Sequence, residues 1–500
     1  MSLTFLLFCI FIFLIIFLVV YARWNYNKLD NLGFPVVKPS FILGSDPQGY
    51  KKVQHLEDYE RFQKYGDIYG FFEGRNPQVH VCDPEMIRLI LVKDGHHFKE
   101  RQKTDFGNPV TNEVLDWQHE EKWRFLRSVI TPNFASHRIR DMSECLRELS
   151  EEFTSELKSK SFGDKITMDF RSFVGSLITK TIEKCYCGIR LENRVDPGHT
   201  FDILMKKLIS EFSGYDIKHE LVRAFPFLIK WHPTIPSEPI AVFRQLVLNL
   251  IKDRQSQHTE KINLQYNFTD TLIDLLSKAQ APQYQHLKIT ENNAVALALE
   301  FFLATFDSVS TPIVFMAYYL ASNPSVQEKV LQEIDSVLEK CDGEAELGFQ
   351  AVQEMPYLQA CFQEALRLAP PFFKVERKCT KDWEYKGYKI SAGVNVIIPV
   401  WATNRHPKYY ENPDEFIPER WLQSGDKDKS NNAYAFCTFG HGPKNCVGQR
   451  WAYEMGKIIM ANFMTTFTFE MKEDTKVQFK PGSSFILKFE PIYLDIVRRG

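Results

Sequence analysis

The chain opens with an unbroken apolar block. From Leu3 through Ala22 there is no charge, and Phe, Ile and Leu dominate. About 20 apolar residues cross a bilayer as a helix, whereas the core of a cleaved signal peptide runs to about 7–15. With no basic stretch before it and no small-residue cleavage site, the block predicts an uncleaved membrane anchor over residues 1–22. Arg23 and Lys28 follow, which would hold that side in the cytosol. Residues 23–50, rich in Gly and Pro between Asn31 and Pro47, predict an irregular hinge. From 51 to 500 no Pro/Ser linker, repeat or low-complexity tract interrupts the pattern, so one large folded unit is expected.

Within that unit the pattern predicts a helix over Leu56–Tyr65. Short strands follow at Ile68–Phe72 and Val79–Cys82, across a Gly-Arg-Asn-Pro turn. Residues 140–285 alternate as long amphipathic helices. The run Thr290–Leu320 is apolar on nearly every face, as a helix threaded through a large core should be. Asn323-Pro324 and Met355-Pro356 each open a further helix, the second ending at Leu368. Strands are expected at Trp383–Ile390, with a turn at Lys386-Gly387, and at Val394–Val400. A buried helix is expected over Val447–Phe467 and a closing hairpin over Phe479–Val497.

Composition narrows the function. A net charge near −2 gives no electrostatic argument for nucleic-acid binding. Forty-four per cent hydrophobic residues, 41 of them Phe, supply a sizeable core. The ten cysteines (9, 82, 145, 185, 187, 341, 361, 379, 437 and 446) are scattered without a Cys-x-x-Cys pair, which argues against zinc and against a disulfide scaffold.

Candidate chemistry concentrates in Phe439-Gly440-His441-Gly442-Pro443-Lys444-Asn445-Cys446-Val447-Gly448. Gly440 and Gly442 permit φ > 0 and close backbone approach to a flat ligand, and Pro443 stiffens the loop. Gly448, two residues into the expected helix, would leave no side chain between helix and ligand. A cysteine at a helix N-terminus has its thiolate favoured. A lone thiolate so held suits haem iron, which brings its own equatorial ligands; the alternative is a small buried core cysteine. Trp123 and Arg127, four apart, share a helix face that could bind carboxylates or make an ordinary surface contact. In the central apolar run, Thr305, Asp307, Ser308, Ser310 and Thr311 precede Pro312, which frees the carbonyl of Ser308. An acid and a hydroxyl there suit a proton path, or a notch with satisfied hydrogen bonds. Glu364 and Arg367 lie at i, i+3 on an otherwise apolar helix. That placement raises a buried structural pair above a solvated one. Phe301, Phe306, Phe372, Phe373 and Phe485 could line an aromatic cavity or simply pack the core.

Phe439, Gly442, Lys444, Cys446 and Gly448 in order resemble the haem loop of cytochrome P450, with Lys444 where the family usually has Arg. Ala304-Thr305-Phe306-Asp307-Ser308 is similar to that family's Ala/Gly-Gly-x-Asp/Glu-Thr, with Thr305 putting bulk in place of Gly. Trp123-x-x-x-Arg127, Glu364-x-x-Arg367 and Pro418-Glu419-Arg420 complete an ordered set across nearly the whole chain. Arg101 and Glu376-Arg377-Lys378-Cys379 resemble the microsomal drug- and xenobiotic-metabolising branch.

The resemblance implies a mainly α (α+β) cytochrome P450 fold with small β-sheets. Haem b would lie between the long central helix and the helix after the cysteine loop. Cys446 would be the axial iron ligand and Phe439 would shield the sulfur. Arg101, Trp123, Arg127, Arg377 and Lys444 would hold the propionates, with Ala304 and Gly448 against the cofactor. Asp307 and Ser308 would relay protons, and Glu364, Arg367 and Arg420 would tie the core together. It further implies oxygen insertion into a lipophilic small molecule, with electrons from NADPH through NADPH–cytochrome P450 reductase and cytochrome b5 as a candidate second donor. The expected location is the endoplasmic reticulum membrane with the catalytic domain on the cytosolic side. The patch Ala224–Trp231 falls where such proteins make a second membrane contact. Two rivals stand beside this: a haem-thiolate isomerase or dehydratase acting on a lipid peroxide without a reductase, and an inactive haem-binding homologue or sensor.

Overall fold

One helix has almost no face that tolerates water, and the fold is wrapped around it. In the computed structural model this central helix runs Glu291–Ser322 and is buried along most of its length. The structure describes residues 3–160, 165–187, 201–212, 214–259, 266–340, 347–422 and 433–499. Cys341 lies outside these, and the side chains of Cys185 and Cys187 are not among those described. The helix start is set by Asn293, whose side-chain oxygen accepts the Thr290 amide at 2.9 Å. It continues through Pro312. Helices Phe170–Thr181, Pro356–Leu368 and Gln449–Met464 pack around it. Their apolar faces merge into a single large core.

The sheets are small and peripheral, which makes the protein mainly α. The largest has four strands: β1 (Ile68–Glu73), β2 (Asn76–Val81), β3 (Lys374–Lys378) and β4 (Asn395–Pro399). Their order is β1-β2-β4-β3, with β2 and β4 parallel and the other neighbours antiparallel. The β1–β2 turn is tighter than the sequence suggests, since Asn76 and Pro77 already belong to β2 and only Gly74-Arg75 turn the chain. Trp383–Ile390 is itself a two-stranded hairpin, with Lys386 and Gly387 both at positive φ, the signature of a tight primed turn. The closing segment divides: Phe479 bridges Phe489, while Tyr493–Arg498 joins Lys165–Asp169 and Phe467–Met471 in a separate sheet.

The N-terminal helix Leu3–Arg23 stands almost wholly exposed, with only Ala22 buried. Its last turn meets the body of the protein, where Leu18, Tyr21 and Ala22 pack against Ala224, Phe225 and Leu228.

A buried polar network ties the Pro356–Leu368 helix to the cysteine loop. Glu364 and Arg367 are both fully buried and paired at 2.8 Å. The two oxygens of Glu364 also accept from Arg420, the Ile417 amide and the Trp421 indole. Arg367 donates to the carbonyls of Asn404, Pro413 and Glu415. Asn404 in turn accepts the Cys437 amide at 3.0 Å and donates to the Thr438 hydroxyl at 2.9 Å. A chain of hydrogen bonds therefore runs from the helix to the residues immediately before Phe439.

Candidate haem site

The loop Phe439–Gly448 is shaped by its own backbone. The Cys446 amide donates to the Phe439 carbonyl at 2.9 Å, and the Asn445 amide to that of Gly442 at 3.1 Å. Gly440 and Gly442 sit at φ 63° and 74°. A Cβ on Gly442 would run into the carbonyl oxygen of Leu91, so only glycine lets the loop lie against that neighbour. Gly448 is the residue before the helix Gln449–Met464 rather than its second residue. A Cβ there would press on the Phe134 ring at 3.3 Å. The amides of Gly448 and Gln449 point at the Cys446 sulfur, as a helix N-terminus should. Burial nevertheless pushes the thiol up to about 11, so a bound metal would have to displace the proton.

Ala304, in the middle of the central helix, and Cys446 are both open to solvent-sized contact although each lies inside the fold. They open onto the same cavity, of about 690 Å³. That is within the usual range of about 300–1,000 Å³ for ligand sites. Thr305 and Ser308 also line it. Their hydroxyls bond back to the helix, Thr305 to the Phe301 carbonyl at 2.8 Å and Ser308 to that of Ala304.

Asp307 does not face this cavity. Its carboxylate is buried on the other side of the helix, where it accepts from Arg171 at 2.8 Å. Burial raises its pKa, and Arg171 opposes the shift. Phe301, Phe372 and Phe485 line the cavity. Phe306 and Phe373 do not: Phe306 packs against Gly175, and Phe373 against His55.

Cations gather on the wall. Arg101, Arg127 and Lys444 line the cavity. Arg101 binds Asp116 through its carboxylate and its carbonyl, and Arg127 donates to the Asn445 carbonyl at 3.0 Å. Lys444 donates to the Gln118 carbonyl at 3.3 Å and lies 4.7 Å from the Trp123 ring centre. Burial, helped by Arg101, pulls Lys444 down to about 8. Burial and Arg101 likewise pull Arg377 down to about 9. Two residues in the expected propionate set stand back from the cavity. Trp123 lies beneath Lys444, facing a shallow outer pocket. Arg377 is buried behind the wall, donating to the carbonyls of Glu376 and Lys444.

Haem b fits these residues. One sulfur faces the cavity, a residue without bulk lines it from the central helix, and cations that depress one another's charge would each be relieved by a carboxylate. One acid escaped the sequence reading: Glu300 lines the same cavity, one helical turn before Ala304. The signal was present, since beyond its first residue the central helix has only two charged positions, Glu300 and Asp307.

The comparisons agree with this geometry. The family model described as cytochrome P450 matches residues 35–496. Cytochrome P450 3A27 of Oncorhynchus mykiss is 28% identical over 491 residues, covering 97% of this chain and 93% of that one. Cytochrome P450 3A25 of Mus musculus is 28% identical, with 96% and 94% covered. Cytochrome P450 3A2 of Rattus norvegicus is 29% identical, with 93% and 92% covered. With the match spanning nearly its whole length, the chain belongs to the cytochrome P450 family, the haem-thiolate monooxygenases, which are oxidoreductases.

Proposed function

We propose that this protein inserts one oxygen atom of O2 into a lipophilic small molecule, with electrons from NADPH delivered by NADPH–cytochrome P450 reductase and, as a second donor, cytochrome b5. The observation that carries the reading is the shared opening of Cys446 and Ala304 onto one cavity with aromatic walls. Cys446 would hold haem iron through its thiolate, and Arg101, Arg127 and Lys444 would hold the propionates, with Arg377 and Trp123 supporting them from behind. Bound there, the group supplies an iron centre for activating O2, with electron density from the thiolate favouring O–O cleavage.

The chain's own residues manage protons and water. Ser308 presents its hydroxyl to the cavity. Asp307, one residue earlier, pairs with Arg171, whose side chain is 29% exposed. Arg171 thereby links the buried acid to solvent. Released from Arg171, the Asp307 carboxyl would carry a proton inward to the Ser308 Oγ. Thr305 narrows the chamber beside Ser308, and the phenylalanines keep bulk water away from the substrate.

Residues 1–22 would anchor the protein in the endoplasmic reticulum membrane, 23–50 would serve as a hinge, and the catalytic domain from 51 onward would lie on the cytosolic side. Leu3–Arg23 has a mean hydropathy of 3.4 over its most apolar stretch. Trp24, Phe41, Phe227 and Trp231 are exposed near its end, as side chains at a membrane interface would be. The test is reconstitution with the reductase, NADPH and 18O2 on a panel of lipophilic compounds. One labelled oxygen per product, formed only with NADPH, is expected. Turnover of a lipid hydroperoxide without NADPH would instead assign an isomerase or dehydratase. NADPH left unconsumed across the panel would assign an inactive homologue.

A further inference from the structure

Among the six acids lining the cavity, two are answered by a cation. Asp116 is bound by Arg101, and Glu73 pairs with Arg223 at 3.2 Å. Glu376 accepts the Gln102 amide at 3.0 Å and has no cation partner among the described residues; the acid on the central helix itself, one turn before Ala304, is Glu300. Its two oxygens accept the backbone amides of Leu115 and Asp116 at 2.7 and 3.1 Å. Among the described residues no side-chain cation lies within 4.0 Å of it. Two amides orient the carboxylate but bring no net charge. A carboxylate has about four acceptor positions, so about half of its capacity is left to the cavity. Burial, with Asp116 adding to it, pushes the group up to about 8, so near neutral pH it mostly holds a proton, which an arriving cation would displace. This acid lacks a cation.

Its surroundings suit an organic cation better than a metal ion. No cluster of three or more metal-ligating side chains occurs among the described residues. Trp117, next to Asp116 on the same loop, meets Phe106 edge-on at 5.0 Å, and Phe212 stands 5.7 Å from Phe106. All three line the cavity. Aromatic faces attract an ammonium through their quadrupole while accepting its apolar substituents.

We propose that Glu300 is the recognition group for a lipophilic cation, so that the preferred substrates are ammonium compounds with an apolar body. Glu300 and Ala304 are four residues apart on one helix face, separated by roughly 6 Å along the axis. A cation held at Glu300 therefore leaves the apolar body over the Ala304 and Cys446 end of the chamber, and the oxidised carbon lies several bonds from the nitrogen.

The proposal rests on the cavity being the monooxygenase's substrate chamber, and the test separates the two. Isothermal titration calorimetry on haem-loaded protein compares 3-phenylpropyl-trimethylammonium with its tert-butyl isostere, which differ in charge but not in shape and cannot ligate iron through a lone pair. Wild type should favour the ammonium. Glu300→Gln keeps one acceptor oxygen, enough for one of the two loop amides, and should cut that preference by about tenfold or more while changing the isostere's affinity far less. Equal affinities in wild type, a preference that survives E300Q, or equal weakening of both probes would overturn the proposal; the last would make Glu300 a loop clamp. If E300Q yields no haem-loaded protein, the wild-type comparison alone decides. Failure to obtain a thiolate-type ferrous–CO spectrum would sink the haem assignment instead, whatever the probes do.

Discussion

Two buried charge clusters in this protein are built on opposite plans. Around Glu364 and Arg367 every donor faces an acceptor: one carboxylate takes five hydrogen bonds from four residues, and one guanidinium spreads over that carboxylate and three carbonyls. Around the cavity the charges are left incomplete. Lys444, although Glu100 lies 3.8 Å away, sits like Arg377 near other cations, and Glu300 has amides but no counter-ion among the described residues. A closed network holds a scaffold in place. An open one has been left for a ligand to close, since an uncompensated buried charge is costly.

The comparison breaks most visibly at Glu364. Glu364→Ala strands Arg367 in the core and should cost about 3–5 kcal/mol, seen as a large fall in the thermal unfolding midpoint and in the yield of soluble protein. A variant melting with wild type would show that the closed network is not structural. Next in size is Asp307→Asn. Loss of a positioned proton donor slows a step by about a hundredfold or more, so product formation should fall with a raised solvent isotope effect while the haem spectrum stays unchanged. If turnover is untouched, the Arg171–Asp307 pair is only a tether.

How much of this was legible beforehand divides along the same line. The turn geometry of the cysteine loop and the burial of the Glu364–Arg367 pair were readable because both lie in short local spacing and fixed turn chemistry. What spacing could not settle was direction. Asp307 and Ser308 are neighbours on one helix turn, yet Asp307 turns outward because Arg171, 136 residues earlier in the chain, reaches it. Arg377 follows Glu376 on a strand, and its guanidinium is drawn to the carbonyls of Glu376 and Lys444 behind the wall, a direction that no spacing in the motif encodes. Trp123 shares a helix face with Arg127 but lies one turn back, beneath Lys444. Glu300 was missed for the converse reason: its loop partners at Leu115 and Asp116 lie 185 and 184 residues away, and no motif couples them.

Smaller changes sharpen the open side of the comparison. Gly442→Ala forces a side chain into φ 74° and onto the Leu91 carbonyl. The strain should be about 2 kcal/mol, read as a lower haem-to-protein absorbance ratio at preserved helicity. Lys444→Met should speed haem transfer to apomyoglobin by about tenfold, the loss of one charge-assisted contact, and Lys444→Arg should restore retention. Unchanged transfer in the Met variant would remove Lys444 from the propionate set.

The ligand assignment itself is tested by the ferrous–carbon monoxide difference spectrum of wild type beside Cys446→Ser. Wild type should show the red-shifted Soret band of a thiolate-ligated haem, and the serine variant should lose it while still folding. Persistence of that band without the Cys446 sulfur would place the iron on another residue and dissolve the site described above.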